Sequence, residues 1–138
     1  MKKYLGLALM IGLFVLAGAA QAEDDIPNLV GVWQAQMDVT QIHSARGNFV
    51  KRLEKVEVFI DSQQGRAFSG RKLHHAGGKI VSENISGVID WDDKTIYVVD
   101  HDKGLTRAAI ESPTDIRGVY LEDGPEAKVV LITWKKMK

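Results

Sequence analysis

The chain has no cysteine, only three prolines, few aromatic residues (7%) and no excess of either charge, with 18 basic and 18 acidic side chains in 138 residues. Without cysteine there is neither a disulfide framework nor a thiolate zinc site, so stability must come from a packed core. The charge balance argues against a strongly basic nucleic-acid binder. The short length leaves room for one domain and none for a multi-domain enzyme or a polytopic membrane protein.

What is present begins with an export pattern. Lys2 and Lys3 precede an uncharged apolar run from Tyr4 to Ala20, and Ala20-Gln21-Ala22 supplies the small-x-small step that signal peptidase accepts. Residues 1–22 are therefore read as a signal peptide cleaved after Ala22, and residues 23–138 as a single domain that is periplasmic or secreted. Cleavage would leave no membrane span, and a mature chain with two more acids than bases. An uncleaved anchor is the alternative, because the run approaches the roughly 20 residues that span a bilayer. The acids Glu23, Asp24 and Asp25 directly after the small-residue site favour cleavage.

After a polar lead-in over 23–28, short β-type runs alternate with turn residues. Eight strands are read, starting at Leu29, Phe49, Ala67, Ile85, Thr95, Leu105, Asp115 and Ala127. Residues 39–48 and 74–78 read as loops, and Gln64-Gly65, Asp102-Lys103-Gly104, Pro113 and Asp123-Gly124-Pro125-Glu126 as turns. Pairing Trp91 with Ile96 gathers Ile85, Gly87, Ile89, Trp91, Ile96 and Val98 on one face. No stretch shows a helical period. The class is all-β: an antiparallel up-and-down barrel of roughly eight strands, with a two-sheet sandwich as the alternative. Gly31, Gly70, Gly87 and Gly118 lie inside strand patterns and favour the barrel, because glycine permits strong coiling where a wall turns.

Leu29-Val30-Gly31-Val32-Trp33 opens the first strand and Trp134-Lys135-Lys136 ends the last. This resembles the calycin group of barrels, lipocalins and avidins, whose first strand carries Gly-x-Trp near its start. The resemblance implies a barrel closed at one end by Trp33, beneath a basic side chain supplied by Lys135 or Lys136. Such a cation over an indole contributes about 0.5 to 2 kcal/mol. It also implies that residues 39–48 form a lid loop over the open end. The glycine-in-strand rhythm at Ser69-Gly70, Ser86-Gly87 and Arg117-Gly118 is similar to that of avidins, but the several tryptophans that clamp biotin there have no counterparts here.

The remaining chemistry is sparse. His74 and His75 are adjacent and point to opposite faces of an extended strand, so no metal site is expected from them. Asp100-His101-Asp102-Lys103-Gly104 shares spaced acids and a glycine with a calcium loop, but it lacks further oxygen ligands and a terminal bidentate glutamate. A hairpin turn rich in Asp and Gly explains it. No nucleophile is paired with a base, so a non-catalytic protein with no cofactor is expected. Asp100 shares parity with Ile96 and Val98 and is placed inward, where an apolar cavity would raise its pKa.

The leading functional reading is a barrel that holds a small, largely apolar molecule. Trp33, Phe68, Ile89, Trp91, Val98 and Tyr120 are expected to line the space, with Arg71 or Asp100 orienting a polar end. The alternative is a filled barrel serving as an interaction or inhibitor module for another cell-envelope protein. Val88, Tyr97 and Val99 on one hairpin, and Val119, Leu121, Val130 and Ile132 on the last, make the second face more apolar than a wall in water should be. Packing against the lead-in, formation of a homodimer and docking on an envelope partner are the three explanations.

Overall fold

The computed structural model describes residues 26–43, 48–124 and 127–138. The expected signal peptide and its cleavage site lie outside the described residues. The strands are β1 (Gly31–His43), β2 (Asn48–Gln64), β3 (Ala67–Ala76), β4 (Lys79–Ile89), β5 (Thr95–Asp100), β6 (Leu105–Ser112), β7 (Asp115–Glu122) and β8 (Lys128–Lys136). Each pairs antiparallel with the next, and β8 returns to β1, closing the barrel expected from the alternation. Successive strand side chains face opposite ways, so Trp33 and Ala35, Val56 and Val58, Ile96 and Val98, and Ile132 and Trp134 fall inside together.

Three departures from the sequence reading have local causes. The β4–β5 ladder pairs Ile89 with Ile96 and Gly87 with Val98, so the connecting turn is two residues longer than a Trp91–Ile96 pairing would leave. Parity is kept along the hairpin, but Trp91 falls in the turn. That turn is held by Asp92, whose carboxylate accepts from the amides of Lys94 (2.9 Å) and Thr95 (2.7 Å) and from the Thr95 hydroxyl (2.6 Å). These bonds, the Thr95 hydroxyl foremost, lower the Asp92 pKa to about 2. In place of a lid loop over 39–48, β1 and β2 form one continuous ribbon from Gly31↔Ile60 to His43↔Asn48; β-branched Val39, Thr40, Ile42 and Val50 suit a pleated strand. Residues 44–47 lie outside the described residues. Residues 74–76 likewise extend β3, because Gly77 and Gly78 both take positive φ and make a two-residue hairpin turn between Ala76 and Lys79.

The outward face of the last hairpin is also corrected. Val119 pairs with Leu131 and Leu121 with Val129, so these four share one side. Val130 and Ile132, which the sequence reading put with them, are buried inside.

One end of the barrel is sealed. Register shifts at Ile60/Ser62 and Ile110/Ser112 mark bulges near that end, where an extra residue increases coiling. Phe68 packs directly against Gly87, where a Cβ would stand 2.3 Å from its ring. The lead-in then plugs the opening. The Leu29 amide donates to Gln63 Oε1 (2.8 Å), and Gln63 Nε2 donates to the Pro27 carbonyl (2.9 Å). Trp33 is fully buried and its Nε1–H donates to the Leu29 carbonyl (2.9 Å). Of the two basic side chains expected over Trp33, Lys136 takes the place, 5.2 Å from the ring centroid, while Lys135 pairs outside with Asp115 at 3.3 Å.

Candidate functional site

Above this sealed layer the interior is nearly full. Ala35, Val58, Ile85, Val98, Ile132 and Trp134 surround a void of about 20 Å³, enough for roughly one water molecule. Met37, Val56, Lys72 and Tyr120 are walls both of this void and of a mouth of about 200 Å³ at the opposite end. The mouth is charged. It is lined by Glu54, Lys72, His74, Glu83, Asp102, Lys103, Glu122 and Lys128.

Two ion-pair groups organise it. The Lys72 ammonium pairs with Asp100 and with Glu83 Oε2 (2.8 Å), and lies 5.3 Å from the Tyr120 ring centroid. Burial disfavours its charge, but the two carboxylates outweigh burial and hold its pKa above the usual lysine value. Asp100 goes the other way for an acid. Desolvation raises its pKa despite Lys72, and the nearby charges of Glu83 and Glu122 add to the effect.

The second group centres on Glu122, buried although charged. Its carboxylate meets Lys128 Nζ (3.1 Å) and Lys103 Nζ (3.1 Å), and lies 3.0 Å from the Tyr120 hydroxyl. Burial alone would raise its pKa; hydrogen bonds from Lys103, Lys128 and Tyr120 win, and it sits below the usual glutamate value. The Tyr120 hydroxyl, also 3.1 Å from the Lys103 carbonyl, is pushed well above the usual phenol range by burial and by Asp100. Gly104 makes room for this ring: a Cβ there would stand 2.3 Å from the hydroxyl oxygen.

The barrel wall beside the mouth is incomplete. The β2–β3 ladder ends at Glu57↔Leu73; above it β2 pairs with β1 and His74–Ala76 pair with β4. A cleft of about 240 Å³ lies there, between Lys55 and Val56 on one side and His74, His75 and Ile80 on the other. His74 lines both this cleft and the mouth, with a buried Nδ1 that has no hydrogen-bond partner among the described residues. Among those residues no three His, Asp or Glu side chains converge to hold a metal ion.

The residues singled out from sequence divide three ways. Val98, Asp100 and Tyr120 line the void. Trp33, Phe68 and Ile89 are buried in the core, and none of them borders the void or the mouth. Arg71 and Trp91 are outside. Arg71 has the outward parity of β3, pairs with Asp61 (3.2 Å) and covers the Phe59 ring at 4.7 Å; its neighbour Lys72 shares the inward parity of Phe68. Trp91 is 85% exposed, beneath the Arg66 guanidinium at 5.1 Å, and Arg66 is in turn tied to Asp93 at 2.7 Å. Sequence reasoning missed Lys72, Glu83, Glu122 and Lys128. Following parity through to the strand ends would have found them, since Glu122 follows Tyr120, and Lys128 precedes Val130, by two residues.

Fold and site together define a closed eight-stranded antiparallel barrel with one plugged end and one charged mouth. Its likeness to solved structures is of fold. A redesigned β-barrel, b11L5F_LGL, is 12% identical and superposes with a TM-score of 0.60, covering 85% of this chain and 96% of its own. The redesigned barrel mFAP0, solved bound to DFHBI, is 12% identical (TM-score 0.57; 78% and 98% covered). A fluorescence-activating β-barrel designed de novo is 10% identical (TM-score 0.54; 83% and 98% covered). No protein-family model and no curated protein matches the chain.

Proposed function

We propose that the chain is an exported, non-catalytic, calycin-like barrel that holds a small amphipathic molecule at its charged mouth. One observation carries this reading: an apolar floor and a charged rim share walls at Met37, Val56, Lys72 and Tyr120. Such a site orders a ligand by burying its apolar end and pairing its polar end. The space sets the size. Void and mouth together fall below the roughly 300 Å³ at which drug-sized pockets begin, so the ligand is smaller than the apolar guest first expected, with a head group that competes for Lys72, Lys103 or Lys128. The DFHBI complex of a barrel of this fold supports the idea that such a scaffold admits a small molecule.

Native mass spectrometry of the protein from its own envelope fraction, before and after denaturation, tests all parts together. The expected result is a chain beginning at Glu23 that releases a small molecule, and an Ala35→Leu variant, whose larger side chain fills the floor, that folds but carries less of it. A bare chain from the envelope fraction would remove the ligand reading, and a chain retaining residues 1–22 would remove cleavage.

A further inference from the structure

The outer wall of β5–β8 carries an exposed apolar belt outside the mouth, which it meets only at its rim, where Glu122 and Lys128 border both. Val99, Leu105, Leu121 and Val129 pair in one row across four strands, and all are exposed. The next row towards the sealed end is Tyr97, Arg107, Val119 and Leu131, prolonged by Val88 on β4. Leu131 is 64% exposed. At the mouth side of the same strands a groove of about 440 Å³ runs among Gly104, Leu105, Leu121, Ala127 and Val129.

Charge is distributed unevenly about this belt. Arg107 stands in the row nearer the sealed end, flanked across the ladders by Tyr97 and Val119, and makes no ion pair among the described residues. Arg117 lies one row further in the same direction, in a loose 3.5 Å pair with Glu111. Asp102 and Asp123, in the turns at the mouth side, likewise make no ion pair among the described residues. Lys103 and Lys128 also stand on the mouth side, but both are paired with Glu122. Beyond those pairs the belt has a basic edge towards the sealed end and an acidic edge towards the mouth, with exposed Leu131 near one and the groove near the other.

We infer that this belt binds a second copy of the same chain, the two barrels lying antiparallel about a two-fold axis that crosses the strands. Reversal sets the arginine edge of each copy on the aspartate edge of the other and aims each Leu131 at the partner's groove, as a self-complementary patch requires. A parallel stacking would put like charge on like. From strand spacing the belt is about 20 Å wide and 14 Å tall, a few hundred Å² against roughly 800 Å² per partner in a standard interface. The dimer is thus reversible and concentration-dependent, and its axis leaves both mouths open.

Sedimentation velocity of the mature chain across a wide concentration range tests this. A monomer–dimer equilibrium is expected, weakened at least tenfold by Arg107→Asp, weakened similarly by the pair Asp102→Arg and Asp123→Arg, and recovered when all three are combined. Leu131→Lys should abolish it with the melting temperature unchanged, which separates interface loss from misfolding. A chain that is monomeric throughout, including one that instead partitions onto anionic phospholipid vesicles, would overturn the proposal. So would a dimer indifferent to the charge reversals.

Discussion

The two ends of the barrel are built from the same alternating strands and solve opposite problems. At the sealed end Trp33, Phe68, Ile89 and Leu29 exclude water, and the few polar groups, Trp33 Nε1 and the Gln63 amide, are tied to backbone. At the mouth, the carboxyl groups of Asp100 and Glu122 are almost as well buried as the core, and each is answered by a lysine. The sealed end gains stability in proportion to the apolar area it removes from water. The mouth gains little net stability from its buried ion pairs, which must first recover their desolvation cost. What it gains is a fixed pattern of charge facing an apolar floor, the feature on which the proposed ligand binding rests.

Substitutions at the two ends should therefore differ in kind. The largest effect is expected for Trp33→Ala, which removes a fully buried indole, its hydrogen bond and the Lys136 contact; chemical denaturation should show a loss of about 4 to 5 kcal/mol, nearly constant from about pH 5 to 8. Lys72→Met comes next, at about 3 kcal/mol near neutrality, because it strands Asp100 and Glu83. Its cost should shrink on acidification. Asp100 has a raised folded pKa, so its protonated form favours the fold and its ionisation costs stability as pH rises through that value.

Glu122→Gln should cost about 1 to 2 kcal/mol at neutral pH, since Lys103 and Lys128 are exposed enough to rehydrate. Here the sign reverses. The folded pKa of Glu122 is lowered, so its contribution is present above the ordinary glutamate value and disappears as pH falls through the folded one. Melting curves of wild type and variant should converge in acid. Trp91→Ala should fall within about 0.5 kcal/mol of wild type, despite removing as large a side chain as Trp33→Ala does, because Trp91 lies in solvent under Arg66. A large loss there would erase the contrast between packed and decorative tryptophans.

The contrast also explains what can be read from sequence. Burial on one face imposes a period of two, so the strands, the all-β class and the inward placing of Val98, Asp100 and Tyr120 are legible. Strand ends are not. The Gly77-Gly78 turn and the β1–β2 ribbon extend strands into stretches whose polar residues read as loop, and this hides Glu83 and the approach to the mouth. Trp91 is misplaced from sequence because the longer turn capped by Asp92 and a shorter one keep the same parity; only the Thr95 and Lys94 hydrogen bonds decide between them. Arg71 and Lys72 are adjacent cations, and parity with Phe68 is the only signal of which one enters. The filling of the interior is not legible at all, since alternation is the same for a full barrel and a hollow one.

Residue-resolved amide hydrogen exchange, on the protein as purified and again after denaturation and refolding to strip the proposed ligand, tests the division of labour most directly. The expected result is that Trp33, Val58, Ile96 and Ile116 exchange only through global unfolding in both samples, while Val98, Thr106 and Tyr120 exchange through local opening that slows when the molecule is bound. Equal protection of the two ends, or slowing confined to the sealed end, would contradict it.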